Sequence, residues 1–304
     1  IQEGPARRRR IAYAVIMAAA LVADACYLLI SFNNNPFENV AIFHETKVMA
    51  HRGASTEAPE NTMAAFQKAI DDMADYIELD VQLTNNGEVI VMHDSNAYRT
   101  TGVDANIVNM TYKEIREWLS ADIDTLDAGS WFSDEYVGEN VPSLKEVLEL
   151  TQGKIKLNIE LKPADNGTAL AKNTVRLIEK YNMVNDCVIT SFSESALKAV
   201  KTYNQEIKVG YILSAAYGDF YDMKNVDFFS VNAAFLSKRT IDAIHNSGKR
   251  VYAWTVNNKE AIKNLTNKGV DGIITDNPVL ARETIYSRDT SETIINMIRY
   301  VFNQ

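Results

Sequence analysis

Apolar and polar positions follow two periods along this chain. Short apolar runs of strand length occur at 48–50, 76–84, 89–92, 156–161, 187–190, 208–213, 228–231, 250–255 and 272–275. Between them lie stretches with apolar residues at helical spacing, and helices are expected at 62–73, 113–120, 144–150, 168–181, 194–203, 238–247 and 259–268. Strand and helix in regular alternation predict a parallel sheet wrapped by helices, and eight such units close into a TIM-type (β/α)8 barrel. Nine runs compete for eight places. Asn86-Gly87 is a strong hairpin signal and accounts for the surplus: the strand ending at Thr84 or Asn85 turns straight back as 88–92. With a two-residue loop Asn85 faces Glu88, and counting outward sets His93 opposite Asp80, on the same face as Glu78. Residues 98–140 break the alternation and are expected to form a small insertion over one end of the barrel. No internal repeat is found.

A different pattern precedes the barrel. Residues 11–32 are almost wholly apolar, with Asp24 the single charge, and as a helix they measure about 33 Å, enough to span a bilayer. Arg7 to Arg10 stand directly before them. By the positive-inside rule 1–10 form a cytoplasmic basic segment, and everything after Phe32 lies across the membrane. A cleaved signal peptide is the rival reading, since Ala23-Asp24-Ala25 has the small-x-small form of a cleavage site, but the apolar run continues through Leu28, Leu29 and Ile30. A buried soluble helix fits the Arg block less well. Asp24 near mid-membrane costs about 2.5–3.5 kcal/mol, which is best tolerated against other protein. That cost, and a chain that starts at Ile1 rather than Met, lead to the expectation that further spanning helices precede this one. Asn33-Asn34-Asn35-Pro36 opens a polar linker, 33–46, the barrel is expected over 47–285, and 286–304 reads as a helical tail.

Composition changes little in this picture. The chain of 304 residues is 46% hydrophobic with 13 Gly and 6 Pro, so it is neither low in complexity nor disordered. Four Arg against Glu3 and Asp24 leave the first 32 residues at +2, so the total of −9 puts −11 on the rest. Without a basic stripe beyond Arg7 to Arg10, that charge argues against a nucleic-acid partner. Cys26 and Cys187 lie in unlike settings, which argues against a disulfide between them.

The chemistry concentrates at strand ends. Of four His, His51 and His93 each follow a predicted strand at its C-terminal end, where barrel active sites are built. Glu78 and Asp80 are two apart on one strand and therefore share a face; Glu160 and Lys162 repeat the arrangement on another. If those faces point inward, three carboxylates meet, and crowded carboxylates call for a shared proton, paired cations or a divalent ion. An all-oxygen set favours Mg²⁺, Ca²⁺ or Mn²⁺ over zinc. The plainer alternative is strand carboxylates facing solvent. Lys162 can equally be an ion-pair partner, Asn61 or Thr62 a simple helix N-cap, and Phe192 and Trp254 ordinary core.

His51-Arg52-Gly53, Pro59-Glu60-Asn61-Thr62, Glu78-Leu79-Asp80-Val81, His93-Asp94 and Glu160-Leu161-Lys162, in this order and spacing, resemble the glycerophosphodiester phosphodiesterase family, here in a membrane-anchored bacterial form. Leu126-Asp127-Ala128-Gly129-Ser130-Trp131-Phe132, Val141-Pro142-Ser143-Leu144, Ser191-Phe192, Ala253-Trp254-Thr255-Val256-Asn257 and Thr275-Asp276 with Pro278 extend the likeness from about Lys47 to Arg282. The resemblance implies a TIM barrel in which Glu78, Asp80 and Glu160 hold one divalent cation while His51 and His93 act as general base and acid. Arg52 and Lys162 would bind the phosphodiester, Glu60 and Asn61 would support them from behind, and Phe192 and Trp254 would line the pocket for glycerol or the leaving group. The implied products are sn-glycerol 3-phosphate and an alcohol, from a glycerophosphodiester or a poly(glycerol phosphate). Two alternatives stand beside this: phospholipase D-like or cyclic-phosphate-forming action on lysophospholipids, and a catalytically silent, membrane-tethered binding module.

Overall fold

The computed structural model describes residues 46–117 and 126–286. The expected spanning helix at 11–32, most of the linker, the last residues of the helix expected at 113–120 and nearly all of the C-terminal tail lie outside the described residues. Among the described residues no helix is long and apolar enough to cross a membrane.

All nine expected strands form: β1 (Lys47–His51), β2 (Tyr76–Leu83), β3 (Val89–Val91), β4 (Lys156–Leu161), β5 (Cys187–Ser191), β6 (Lys208–Leu213), β7 (Phe228–Asn232), β8 (Arg250–Trp254) and β9 (Gly272–Thr275). Eight of them run parallel and close into a barrel through the β1–β9 and β1–β2 pairings. The ninth, β3, is antiparallel to β2. β2 serves three neighbours because it is long: its first residues pair with β1, its last with β3, and β4 runs along the other edge.

The helices are α1 (Met63–Asp71), α2 (Tyr98–Thr101), α3 (Tyr112–Arg116), α4 (Leu144–Thr151), α5 (Gly167–Lys180), α6 (Glu194–Tyr203), α7 (Lys238–Asn246) and α8 (Lys259–Lys268), and residues 278–286 are also helical. Between β6 and β7 only a short 3₁₀ turn, Phe220–Asp222, stands where a helix would complete the pattern. Helix starts follow local chemistry. The Thr62 hydroxyl accepts from the Ala65 amide to cap α1, and Ser143 and Glu146 make a reciprocal capping box at α4.

Alternation sorts the strand side chains. On β2 the outward residues Ile77, Leu79, Val81 and Leu83, and on β4 Leu157, Ile159 and Leu161, belong to the main core between sheet and helices. Each of these aliphatic side chains, fully buried, contributes about 1.5–3 kcal/mol. The opposite faces point into the barrel. Its floor is Met49, Phe228, Tyr252 and Ile274, with Trp254 packed against them. Gly210 makes room for this layer: a Cβ there would sit 2.0 Å from the Phe228 ring.

The insertion has its own apolar centre. Ile90 and Met92 pack with Val103, Ile107, Met110, Ile115, Leu126 and Val141, so this segment is built on the face of β3 that the barrel leaves uncovered.

One register expectation is corrected. Val81 pairs with Val91 and Gln82 with Ile90, which places Met92, not His93, opposite Asp80. The loop has three residues rather than two: Gly87 adopts φ +86° and the Thr84 amide donates to Glu88 O, so one extra residue enters the turn. Shifting by one residue sends His93 past the end of β3, and it reaches the barrel mouth from a loop.

Candidate active site

The parallel register assembles three carboxylates. Asp80 on β2 pairs with Glu160 on β4, while Glu78, two residues below, shares its rung with His51 and Asn158. Strands lie about 4.8 Å apart, so these inward side chains must meet. One carboxylate oxygen from each of Glu78, Asp80 and Glu160 lies within 4.8 Å of the others. Glu78 and Asp80 are buried, and the Glu160 side chain is only 12% exposed.

Burial and the neighbouring Asp80 push the Glu78 carboxyl up to about 7 and that of Glu160 up to about 8. Burial acts on Asp80 in the same sense, but Lys162 and Arg52 outweigh it and hold this carboxyl below its ordinary value. Such a set repels itself, and a divalent cation relieves the repulsion. With oxygen donors alone, the trio fits a hard cation.

Two positive groups border it. Lys162 Nζ lies 2.8 Å from Glu160 Oε1 and 3.3 Å from Asp80 Oδ1, so the ion-pair reading of Lys162 holds in this structure. Arg52 is turned by a left-handed backbone, φ +57°, so that its amide donates to Glu78 Oε2 at 3.0 Å while its side chain reaches Glu60 at 2.8 Å and approaches Asp80 at 3.4 Å. Gly53 follows at φ +86° against Ala65, where a Cβ would meet Ala65 Cβ at 2.6 Å. Asn61, also left-handed at φ +56°, does not cap α1. Its amide donates to Asp80 Oδ2 at 2.9 Å and its carbonyl accepts from the Asp80 amide.

Each histidine is backed by a carboxylate. His51 Nδ1 is 2.6 Å from Asp276 Oδ1, and the Ser55 hydroxyl and Asn257 side chain donate to the same aspartate. Burial lowers the His51 pKa, but Asp276 and Glu78 outweigh it and leave the ring above its ordinary value. His93 Nδ1 is 2.7 Å from Asp94 Oδ1. Here burial prevails over the attraction of Asp80 and Asp94, and the ring titrates below its ordinary value. In both rings the bond at Nδ1 leaves Nε2 for other work.

One cavity of about 230 Å³ is lined by His51, Arg52, Glu78, His93, Glu160 and Lys162 together with Phe192 and Trp254; Asp80 is not in its wall but lies against Glu78 and Glu160. The aromatic pair is edge to face with centroids 6.1 Å apart, and the Trp254 indole donates to Ser230 O at 3.1 Å. Phe192 is 46% exposed, at the rim rather than in the core. A wider groove of about 840 Å³ adjoins the cavity past His93, Lys162 and Phe192 toward α2.

Sequence reading assigned no role to Asp276, Asp94, Gln82 or Arg99. The strand alternation that picked out Glu78 and Asp80 continues to Gln82, which is buried and donates to the carbonyls of Met92 and Asp94. Asp94 and Asp276 stand in the motifs that carry the family resemblance, beside His93 and Thr275, but no role was read for them; nothing local marks Arg99.

A parallel barrel whose strand ends gather a carboxylate trio, two carboxylate-backed histidines, an Arg and a Lys is an enzyme site for an anionic substrate. Its family follows from comparison. Residues 51–280 match the glycerophosphoryl diester phosphodiesterase family, and the chain belongs to it. A glycerophosphodiester phosphodiesterase of Caldanaerobacter subterraneus subsp. tengcongensis is 34% identical over 263 residues, covering 84% of this chain and 98% of that one. Among solved structures, a phosphodiesterase of Oleispira antarctica in complex with the product sn-glycerol-3-phosphate aligns with TM-score 0.72 at 30% identity, covering 79% of this chain and 96% of that one. The glycerophosphodiester phosphodiesterase of Agrobacterium tumefaciens aligns with TM-score 0.66 at 30% identity, covering 78% and 98%. The chain is accordingly a phosphoric diester hydrolase, a glycerophosphodiester phosphodiesterase.

Proposed function

We propose that the chain hydrolyses glycerophosphodiesters to sn-glycerol 3-phosphate and an alcohol by proton transfer through His51 and His93, with one divalent cation held by Glu78, Asp80 and Glu160. The observation that carries this is one cavity lined by His51, His93, Glu78 and Glu160 together with Arg52 and Lys162, with Asp80 close enough to complete the carboxylate trio. The all-oxygen set favours Mg²⁺, Ca²⁺ or Mn²⁺. A divalent cation held by Glu78, Asp80 and Glu160 would supply Lewis-acid chemistry, offsetting negative charge on the phosphoryl group.

Everything else falls to the chain itself. Arg52 presents a planar fork suited to phosphoryl oxygens, and Lys162 adds a second positive charge beside Glu160. Glu60 and Asn61 hold Arg52 and Asp80 in place from behind. One histidine takes the proton from the nucleophile, either water or the neighbouring glycerol hydroxyl, at its free Nε2. The other gives a proton to the departing alkoxide, a poor leaving group without it. Phe192 and Trp254 offer apolar faces to the carbon skeleton of the glycerol or the alcohol.

The apolar run 11–32 behind Arg7 to Arg10 supports a further part of the reading: the barrel is tethered to the outer face of a membrane, where lipid-derived diesters or poly(glycerol phosphate) would meet it.

The test is release of glycerol 3-phosphate from glycerophosphocholine, glycerophosphoethanolamine and a glycerol phosphate oligomer, with and without EDTA. His51→Ala is expected to cost about 10²–10⁴ in kcat, and EDTA to abolish turnover reversibly. A folded protein that turns over none of these with any of the three ions would refute the proposal.

A further inference from the structure

His51 stands at the end of a barrel strand, but His93 does not. β3 ends at Val91, and His93 lies two residues further on in chain that belongs to no strand. Its ring must nonetheless hold one orientation in the cavity. On one side the buried Gln82 amide brackets it, donating to Met92 O at 2.9 Å and Asp94 O at 2.6 Å. On the other, Asp94 Oδ1 meets the ring at Nδ1, and the second oxygen, Oδ2, accepts from Arg99 Nε at 2.5 Å.

Arg99 comes from α2, in the insertion, and is itself anchored. Its Nη1 and Nη2 reach Glu60 Oε2 and Oε1 at 2.8 and 2.7 Å, a bidentate pair, and the same Glu60 Oε1 accepts from Arg52. All three guanidinium nitrogens are therefore engaged by protein carboxylates, although Arg99 borders the groove beside the cavity. A residue placed to grip substrate phosphate would keep part of its fork free. A carboxylate held at one oxygen can swing; held at both, as Asp94 is, it fixes whatever it bonds.

We propose that Arg99 is a positioning residue for His93: the insertion delivers a guanidinium that locks Asp94, and with it the imidazole, so that Nε2 faces the cavity. This rests on the reading of His93 as a proton-transfer residue. It also gives the insertion a role in turnover, since the lock is made only when α2 is seated against Glu60. Lysine cannot replace the arginine, because a single ammonium cannot serve the Glu60 pair and Asp94 together.

The experiment is steady-state hydrolysis of glycerophosphocholine by the full chain and by His93→Ala, Arg99→Ala, Arg99→Lys and the His93→Ala/Arg99→Ala double variant. Arg116→Ala is the control, because Arg116, from the same insertion, pairs with Glu146 of α4 at 3.3 Å and does not border the cavity. Arg99→Ala is expected to lower kcat about 10- to 100-fold, the effect of losing the charge-assisted bond to Asp94 that orients His93, with KM within about threefold. Arg99→Lys stays impaired, guanidinium ion restores part of the Arg99→Ala rate, and the double variant is no slower than His93→Ala alone. Losses that multiply in the double variant, or a higher KM with kcat unchanged, would overturn the proposal, and so would an Arg99→Ala rate within about twofold of Arg116→Ala. A fully active His93→Ala would overturn the assignment of His93 beneath it, and that single variant tells the two failures apart.

Discussion

Asp276 follows β9 and pairs with a histidine 225 positions earlier in the chain, which makes Asp276→Asn a sharp probe of the site. The substitution keeps the shape and removes the charge. The Ser55 hydroxyl at 3.2 Å and the backbone bond from Thr56 N to Asp276 O can still hold the side chain, while the Asn257 amide, which donates to the second oxygen, would face the new NH2. What is lost is a 2.6 Å charge-assisted bond to His51 Nδ1. Such bonds contribute about 1.5–3 kcal/mol, so if His51 moves a proton in the rate-limiting step, kcat falls about 10- to 150-fold. The sign of the pH effect follows from the same balance. Burial lowers the His51 pKa and Asp276 is the first of the groups that raise it, so removing that charge leaves burial to dominate and the ring titrates lower. The limb of the kcat profile that reports His51 moves to lower pH, whether His51 works as base or as acid. Stopped or coupled assay of glycerol 3-phosphate across pH 5 to 9 reads both quantities. A kcat within about threefold of wild type with neither limb displaced would mean that Asp276 only supports the fold.

Three further outcomes follow from the geometry. With divalent ions chelated, Glu78 and Glu160 titrate at about 7 and about 8 in the folded chain against an ordinary 4.5, so the folded state binds protons that the unfolded state has released and stability falls as pH rises through that window. Adding Mg²⁺ or Ca²⁺ should then raise Tm more at pH 8 than at pH 5, and equal gains at both would contradict the trio as the ion site. Gly210→Ala drives a Cβ to within 2.0 Å of the Phe228 ring, and overpacking of about 1–3 kcal/mol should lower Tm by several degrees; an unchanged Tm would show that the barrel floor yields. Burial pushes the Cys187 thiol up to about 12, so in a Cys26→Ser chain a thiol reagent at pH 8 should label the native protein far more slowly than the urea-unfolded one, and matching rates would refute its burial.

The proposed membrane tether rests on residues 11–32, which lie outside the described residues. Its test is independent of catalysis: protease protection and labelling of residues on either side of 11–32 in intact cells would show which face the barrel occupies, and a barrel facing the cytoplasm would refute the orientation expected from Arg7 to Arg10.

What the sequence determined by itself is whatever depends on period and neighbourhood. All nine strands stand close to where alternation put them, and Glu78 with Asp80 falls on one inward face because a strand repeats every two residues. The ordered motifs picked out the three carboxylates that meet and the two histidines, Arg52 and Lys162 that share a cavity with Glu78 and Glu160. Tertiary structure decided register and distant company. Asn86-Gly87 announced a turn without saying how many residues it holds, and one residue at positive φ separated His93 from its expected place opposite Asp80. Thr62 rather than Asn61 caps α1, because Asp80, 19 residues on, engages the Asn61 side chain at both ends, its backbone amide taking the carbonyl oxygen that a cap would use. Asp276 meets His51 only because β9 closes on β1, and Arg99 reaches Asp94 and Glu60 only because the insertion folds on its own apolar centre over β3. Periodicity is a property of neighbouring residues and is written along the chain, whereas a contact between remote residues exists only once closure of the barrel has set the register of every strand.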